Sequence, residues 1–241
     1  MTEDAKNIQR NYYAETASDY DQMHLMDAEH NLALSHFTAE MNRLGVNTML
    51  DVGCGTGRGV KFLLDRGVDV TGVEPVRELL DAGIEQHSLP AERMLEGTGE
   101  SLAFDDKSYD CSMELGVLHH VPDPSRVVAE MIRVSRKAIF ISDSNRFGQG
   151  RFVWRLIKIA AWKMKLWGLL DFIRTKGKGY TISEEDGLAY SYSVYDSFNQ
   201  LAAWADSIHV IPTSPSTATS WLHPVATASH VLLVATRDND S

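Results

Sequence analysis

The sequence is poor in the features that mark secreted and membrane-spanning proteins. It has only two cysteines, Cys54 and Cys111, and their spacing fits neither a disulfide framework nor a metal site, which indicates a reducing compartment. It contains no run of about 18 apolar residues, so no segment is predicted to span a membrane. Residues 1–21 are polar and lack the apolar stretch of a signal peptide. We therefore expect a cytoplasmic protein.

Positive charge is also scarce. The 241 residues carry 33 acids against 23 bases, a net charge of −10, so the molecule as a whole should repel nucleic acid and anionic membranes. Hydrophobic residues make up 44 % of the chain, which is enough for a substantial core. The length suits one α/β domain with an appended cap.

Apolar periodicity predicts alternating strands and helices after an N-terminal helical region. The predicted helices span residues 4–22, 27–44, 58–67 and 123–137; the predicted strands span residues 48–53, 68–75, 93–97, 109–116, 138–145, 207–213 and 229–238. Strands that alternate with helices indicate a parallel sheet with right-handed crossovers. No helix is predicted between the last two strands, which we expect to pair in antiparallel fashion.

A glycine-rich turn, residues 49–59 (MLDVGCGTGRG), follows the first predicted strand. Such a turn lets the backbone approach a ligand closely. A phosphate-binding loop would need Gly-Lys followed by Ser or Thr, but Arg58 and Gly59 follow Gly57. A dinucleotide fingerprint would need a third glycine where Arg58 or Val60 stands. Both of these ligand classes are therefore disfavoured.

Residues 50–57 (LDVGCGTG) resemble the first motif of the class I S-adenosylmethionine-dependent methyltransferases. The resemblance implies that S-adenosylmethionine is the cofactor, with S-adenosylhomocysteine as the product. It implies that the turn contacts the methionyl group and that Asp51 offsets nearby positive charge. The implied cofactor residues in this segment are Asp51, Gly53, Cys54, Gly55, Thr56 and Gly57.

Later segments resemble further motifs of this family. The second strand ends in Glu74 and Pro75, and the resemblance implies that the Glu74 carboxylate accepts hydrogen bonds from both ribose hydroxyls. Residues 97–104 resemble the segment that lies along the adenine, but Thr98 replaces the expected acid and Ala103 the expected proline. The residues implied along the cofactor are Thr98, Gly99, Glu100, Leu115, Gly116 and His120. Residues 12–21 resemble a helix that closes over the cofactor, which adds Tyr20.

The candidate catalytic residues are His119, His120 and Asp143. Methyl transfer from a sulfonium depends mainly on placing the acceptor in line, and an oxygen acceptor must also lose a proton. Either histidine could act as the base, because imidazole titrates near neutral pH; alternatively, the pair orients the following loop and packs on the cofactor. Asp143 could polarise the acceptor or be a solvated strand end. No spacing of His, Asp and Glu predicts a metal site.

Residues 147–178 differ from the rest of the chain in charge. They hold eight bases and one acid, which gives this segment +7 and leaves −17 elsewhere. We expect a lid over the acceptor pocket. Three interpretations stay open: a small lid core with solvated bases, a helix that docks on anionic lipid, or a lid that binds an anionic acceptor. Nucleic acid is disfavoured by the acidic remainder.

The sequence therefore predicts an α/β Rossmann-like sheet of seven strands in the order 3-2-1-4-5-7-6, with strand 7 antiparallel. The expected parts of the single domain are a helical cover (1–45), a cofactor-binding core (46–145), a helical lid inserted after strand 5 (146–205) and C-terminal strands (206–241). The expected reaction is O-methylation of a sugar, lipid-linked glycan or natural-product hydroxyl, with peripheral contact at the inner membrane face. The alternatives are C-methylation of a quinone-like ring, a non-catalytic binding module and a Rossmann oxidoreductase.

Overall fold

A computed structural model of the chain describes residues 3–23, 28–183, 187–214 and 221–238. The strands are β1 (Thr48–Val52), β2 (Asp69–Glu74), β3 (Met94–Glu96), β4 (Tyr109–Leu115), β5 (Ser135–Ser144), β6 (Tyr180–Ser183), β7 (Gly187–Tyr190), β8 (Ser207–Pro212) and β9 (His230–Thr236). The α-helices are α1 (Glu3–Thr16), α2 (Tyr20–Met23), α3 (Ala28–Leu44), α4 (Arg58–Leu64), α5 (Arg77–His87), α6 (Pro124–Val134), α7 (Phe152–Lys163), α8 (Trp167–Arg174), α9 (Phe198–Ala202) and α10 (His223–Ala226).

Seven strands form one sheet in the order β3-β2-β1-β4-β5-β9-β8. Strands β1 to β5 are parallel to one another, and β9 runs antiparallel to both of its neighbours. The strands β6 and β7 form a separate two-stranded hairpin. When that hairpin is left out of the numbering, the order is the predicted one and the antiparallel seventh strand is confirmed.

The sheet is buried on both faces because its strands are apolar in consecutive positions. In β1, Met49 packs into one core with Phe37 of α3, whereas the next residue, Leu50, packs into the opposite core with Met131 of α6. Successive side chains of a strand point to opposite faces, so helices cover both sides of the sheet. This layered arrangement leaves the carboxyl ends of the parallel strands at one edge, where a ligand can reach them.

Several boundaries differ from the prediction. The helix predicted over 123–137 ends at Val134, because Ser135 already pairs with Tyr109 of β4 and starts β5. Pairing with a neighbouring strand thus outweighs the local helix propensity of the residues that follow. The helix predicted over 4–22 is divided into α1 and α2, with a turn at 17–19. Tyr13 and Tyr20 still pack together across that turn, with ring centroids 5.9 Å apart.

The segment predicted as a helical lid (146–205) contains α7, α8 and α9 but also the hairpin of β6 and β7, which was not predicted. Tyr180 and Tyr190 face each other across this hairpin, with ring centroids 6.1 Å apart. The last two strands of the main sheet are antiparallel as predicted, but the short helix α10 lies between them. No helix in the described ranges is both long and apolar enough to cross a membrane.

Two helical glycines should respond oppositely to alanine. A Cβ atom at Gly83 of α5 would lie 2.0 Å from the carbonyl oxygen of Thr56, whereas one at Gly168 of α8 would have no atom within 4 Å. Gly83→Ala should lower the free energy of unfolding by about 1–3 kcal/mol, because the helix must move away from the glycine turn. Gly168→Ala should raise it by about 0.5 kcal/mol. Urea unfolding measures both values, and a shift of the same sign in the two variants would contradict this packing.

Candidate active site

A pocket of about 800 Å³ lies at the carboxyl ends of β1, β2 and β4. Its walls also include residues of α1 and of the β7 strand of the hairpin. The pocket is large enough for a cofactor and a small second ligand. The predicted site residues that line it are Tyr20, Gly53, Gly55, Glu74, Pro75, Thr98, Gly99, Glu100, Leu115, Gly116 and His120.

The glycine turn forms the floor of the pocket. Its backbone adopts the left-handed conformation, which residues other than glycine disfavour. Gly53, Gly55 and Gly57 all have positive φ angles, of 75°, 56° and 78°. A Cβ atom at Gly53 would also lie 2.6 Å from the side chain of Val117. Glycine is therefore required at Gly53 for both its backbone angle and its surroundings.

Glu74 connects the end of β2 to the glycine turn. One carboxylate oxygen accepts the N–H of Gly55 at 3.2 Å and the other accepts the N–H of Val76 at 3.0 Å. Burial raises the pKa of Glu74 to about 7, although these two backbone bonds act in the opposite direction. Each oxygen can accept a further hydrogen bond, so the carboxylate can still bind hydroxyl groups in the pocket.

Six predicted site residues lie behind the pocket wall rather than on it: Asp51, Cys54, Thr56, Gly57, His119 and Asp143. Asp51 is buried beneath the turn, and burial together with repulsion from Glu74 raises its pKa to about 7. Burial also raises the pKa of the Cys54 thiol, which packs against Gly72. The hydroxyl of Thr56 donates to Asp21 at 2.6 Å and so holds α2 against the turn.

His119, which is half-buried, and Asp143, which is buried, form a pair behind the adjacent histidine. His119 Nδ1 lies 2.6 Å from Asp143 Oδ1, and the His119 backbone N–H donates to Asp143 Oδ2 at 3.1 Å. Burial alone would raise the pKa of Asp143, but the nearby positive charge and hydrogen bond of His119 outweigh it and hold that pKa below its usual value. The imidazole of His120 packs against that of His119 at a tilt of 44°, with ring centroids 3.9 Å apart.

His120 is the histidine that the fold brings to the pocket. Its Nδ1 lies 2.7 Å from the carbonyl oxygen of Leu188 in β7. A carbonyl oxygen can only accept, so this contact places a proton on Nδ1 and leaves Nε2 as the acceptor atom of the neutral ring. Gln9 of α1 lies beside the same ring: its Oε1 accepts the N–H of Leu188 at 2.5 Å, whereas its Nε2, a donor 3.1 Å from His120 Nδ1, forms no hydrogen bond with that nitrogen while it carries the proton.

The sequence patterns did not identify Gln9, Leu188 or Glu114. Gln9 and Leu188 are 179 residues apart, so only the folded chain shows that they meet. Glu114 is fully buried in β4, and its Oε2 accepts the N–H of Val117 at 2.9 Å. Burial, and then repulsion from Asp143, raises the pKa of Glu114 well above its usual value. In the sequence, the one indication that Glu114 is unusual is its position, as an acid, inside a strand that is predicted to be buried.

A second cavity, of about 330 Å³, adjoins the first. The two share Val121, Pro122 and Tyr190 in their walls. The polar residues that line the second cavity are Asp123, Ser125, Asp171, Ser191, Asp196, Ser197 and Gln200. These carboxylates and hydroxyls can bind a ligand that is rich in hydroxyl groups, although Asp171 and Asp196 are already paired with Arg174 and Arg146. Within the described ranges, no three His, Cys, Asp or Glu side chains are placed to hold a metal ion.

Comparison with known sequences identifies the protein family to which residues 50–140 are similar. Residues 50–140 match the family model described as a methyltransferase domain. An uncharacterized methyltransferase of Mycobacterium tuberculosis is 40 % identical over 88 residues, which is 36 % of this chain and 35 % of that protein. The phthiotriol/phenolphthiotriol dimycocerosates methyltransferase of M. tuberculosis is 34 % identical over 112 residues, or 44 % of this chain and 40 % of that protein. The chain thus spans about a third of the length of the first curated relatives it matches. The predicted methyltransferase class is confirmed for residues 50–140.

Solved structures confirm the predicted fold class. The 1,6-didemethyltoxoflavin-N1-methyltransferase of Burkholderia thailandensis superposes with a TM-score of 0.62 at 17 % identity, covering 98 % of this chain and 90 % of that one. The magnesium protoporphyrin IX methyltransferase of Synechocystis gives a TM-score of 0.63 at 17 % identity, covering 97 % and 100 %. Both of those structures contain S-adenosylhomocysteine, which agrees with the cofactor predicted from the sequence.

The pair of His119 and Asp143 should contribute to stability above acidic pH. Because the folded pKa of Asp143 lies below its usual value of 3.8, the contribution is present above that pH and is lost as the pH falls further. Asp143→Asn should lower the free energy of unfolding at pH 7 by about 3 kcal/mol, since it leaves His119 without its charged partner. The difference from the native chain, measured by urea unfolding, should shrink toward pH ~3.

The matched control is His119→Gln, which breaks the same pair from the other side. The double variant should lose less stability than the sum of the two single variants, because both remove one interaction. Strictly additive losses would show that the two side chains do not act as a pair.

Proposed function

We propose that the chain is an S-adenosylmethionine-dependent methyltransferase that methylates a hydroxyl group of a small-molecule acceptor. The observation that carries this proposal is the joining of the glycine turn and Glu74 in one pocket, through the hydrogen bond from Gly55 to the carboxylate. The methyltransferase class of residues 50–140 supports it. The activity of the whole chain and the identity of its acceptor are parts of this proposal.

The residues of the pocket fit the cofactor. Glu74 retains acceptor capacity on both oxygens and can bind the two ribose hydroxyls. The turn at Gly53 and Gly55 offers backbone groups to the methionyl end, because no side chain stands between the backbone and the pocket. Thr98 and Gly99 line the wall where the adenine is expected. When bound, the cofactor supplies a methyl group already activated on sulfur.

The buried acids of the turn suit a ligand with positive charge and hydroxyl donors. Asp51 and Glu74 lie close enough that the second raises the pKa of the first. A sulfonium placed above them would favour the ionised carboxylates, whereas a pyrophosphate would be repelled. This difference in charge favours S-adenosylmethionine over a dinucleotide at the same turn.

His120 is the residue that we assign to proton transfer. The contact with Leu188 holds the proton on Nδ1, so Nε2 can accept the proton of an acceptor hydroxyl. His119 and Asp143 do not line the pocket, and we assign them the role of positioning residues that support the adjacent ring of His120. The carbonyl oxygen of Leu188 in β7 holds the same ring, and Gln9 of the cover in turn accepts the N–H of Leu188.

The second cavity is the proposed acceptor site. It opens beside Tyr190 and Pro122, which also line the main pocket, so an acceptor there lies next to the cofactor. Its carboxylates and hydroxyls suit a sugar, a lipid-linked glycan or a hydroxylated natural product. One curated relative is named as a methyltransferase of phthiotriol and phenolphthiotriol dimycocerosates, which agrees with an acceptor that bears hydroxyl groups.

Calorimetry with S-adenosylhomocysteine and with NAD tests the cofactor assignment. The native chain should bind S-adenosylhomocysteine and not NAD. Glu74→Ala should weaken that binding at least about tenfold, or about 1.4 kcal/mol, because the ribose hydroxyls lose their acceptor. Binding should strengthen as the pH rises through about 7, since the pKa of Glu74 is raised to about 7 and the ionised form accepts more strongly.

Asp51→Asn is the matched control, because it removes the neighbouring buried acid without touching the pocket wall. It should keep the part of the pH dependence that Glu74 contributes, whereas Glu74→Gln should lose that part. Failure of the native chain to bind S-adenosylhomocysteine would overturn the proposed function, and unchanged affinity in Glu74→Ala would remove the ribose role alone.

The role of His120 is tested by methyl transfer to hydroxyl-bearing acceptors. His120→Gln should lower kcat by about 10²- to 10⁴-fold, because no side chain is then left to take the proton. His119→Gln should lower kcat much less, since His119 does not line the pocket. Equal kcat values in the native chain and in His120→Gln would show that His120 serves packing rather than proton transfer. The proposed reaction would then be methylation of a ring carbon instead of a hydroxyl group.

A further inference from the structure

The helices α7 and α8 leave most of their apolar side chains in water. Neither helix has a fully buried residue. Of the 18 large apolar side chains exposed in the described ranges, 11 lie between Phe152 and Ile173. These 11 residues define the lid surface: Phe152, Val153, Trp154, Leu156, Ile157, Trp162, Met164, Leu166, Leu169, Phe172 and Ile173. Soluble monomers rarely expose so many apolar groups together, so the lid surface indicates a binding partner.

The bases around the lid surface are largely uncompensated. Arg174 pairs with Asp171 at 2.8 Å, while Arg155 and Lys158 donate to backbone carbonyl oxygens. The other five bases are exposed and have no acidic partner within the described ranges: Arg151, Lys163, Lys165, Lys176 and Lys178. The lid therefore presents positive charge that has no acidic partner among the described residues, next to exposed aromatic and aliphatic groups.

Two of these lysines occupy positions that favour glycine. Lys165 and Lys176 follow the ends of α7 and α8 with φ angles of 59° and 53°. Glycine adopts this left-handed conformation without the steric cost that a side chain carries. Lysine at both positions carries this steric cost, and it keeps a positive charge beside the lid surface.

We propose that the lid surface docks the protein on an anionic phospholipid bilayer. Helices with aromatic and aliphatic groups beside Lys and Arg bind in the interfacial layer of such membranes. Exposed Trp154 and Trp162 suit that layer, where an aromatic ring meets both headgroups and acyl chains. The exposed lysines meet the anionic headgroups.

Charge argues against the other occupants of this surface. A second copy placed face to face would bring two segments of +7 together, and like charges would oppose that contact. Nucleic acid would leave the apolar side chains without a partner, because phosphates neutralise only the bases. An anionic bilayer is the partner that receives both the apolar and the basic groups.

The docking surface adjoins the proposed acceptor site. Asp171 of α8 and Gly179 just after it line the second cavity, which shares Tyr190 with the main pocket. Docking through α8 therefore places that cavity beside the bilayer. Delivery of a lipid-linked acceptor through this cavity rests on the proposed function, whereas docking itself does not.

Co-sedimentation with vesicles tests the docking. The native chain should bind vesicles of phosphatidylcholine mixed with phosphatidylglycerol at least about tenfold more tightly than vesicles of phosphatidylcholine alone. Lys165→Gly with Lys176→Gly should weaken binding to the anionic vesicles about tenfold, because two charges are lost where glycine fits the backbone. Trp154→Ser with Phe172→Ser should also weaken it at least about tenfold, without opening a cavity in the core.

Two control variants lie outside the lid segment. Lys107→Gly removes a lysine with a φ angle of 55° that precedes β4, and Leu95→Ser removes an exposed apolar group from β3, at the opposite edge of the sheet from β8. Both variants should bind anionic vesicles like the native chain. Equal losses in the control and lid variants would overturn the proposal, because they would show attraction without a defined surface.

Failure of the native chain to bind anionic vesicles would also overturn the docking. If sedimentation velocity then showed dimers that Trp154→Ser with Phe172→Ser dissociates, the occupant would be a second copy. Calorimetry with S-adenosylhomocysteine keeps the two proposals separate. Binding of S-adenosylhomocysteine without vesicle binding would overturn the docking and leave the methyltransferase assignment intact. Vesicle binding without binding of S-adenosylhomocysteine would remove the methyltransferase assignment and leave the docking intact.

Discussion

The hydrogen bond between the Gly55 backbone and the Glu74 carboxylate is the interaction on which the site depends. It joins the turn after β1 to the end of β2, and the second oxygen of the same carboxylate holds Val76 at the start of α5. The turn can lie there only because Gly53 has no side chain to meet Val117. One carboxylate therefore sets both the position of the turn and the shape of the pocket floor.

This arrangement concentrates buried acids at the strand ends. Burial raises the pKa of Asp51 and of Glu74 to about 7, and raises that of Glu114 well above its usual value. Of the buried acids Asp51, Glu74, Glu114 and Asp143, it is Asp143, at the end of β5, that has a histidine as its direct partner. Buried acids without cationic partners cost stability, and proteins retain them mainly where a ligand uses them. The buried acids at the strand ends thus lower the stability of the fold but supply groups that can bind a ligand.

The parts of the fold that follow local patterns were predictable from the sequence. Apolar runs indicated the strands, and the glycine turn with Glu74 about twenty residues later indicated the pocket. The hairpin and the contact of Gln9 with Leu188 were not predictable, because they depend on segments that meet only after folding. Sequence could not separate His119 from His120 either, since a 3₁₀ turn directs these adjacent side chains to different partners.

The connection between the sheet and the lid follows from the residues just after β5. Arg146 is buried, forms an ion pair with Asp196 and lies over the ring of Trp167 at 4.8 Å. Burial lowers the pKa of Arg146 to about 10, so it stays charged at neutral pH. Its carbonyl oxygen accepts from Lys158, which fastens α7 to the same point. Because α7 and α8 bury no residue fully, such polar and aromatic contacts, rather than an apolar core, hold the lid in place. The apolar side chains of the lid therefore stay available to bind a partner outside the fold.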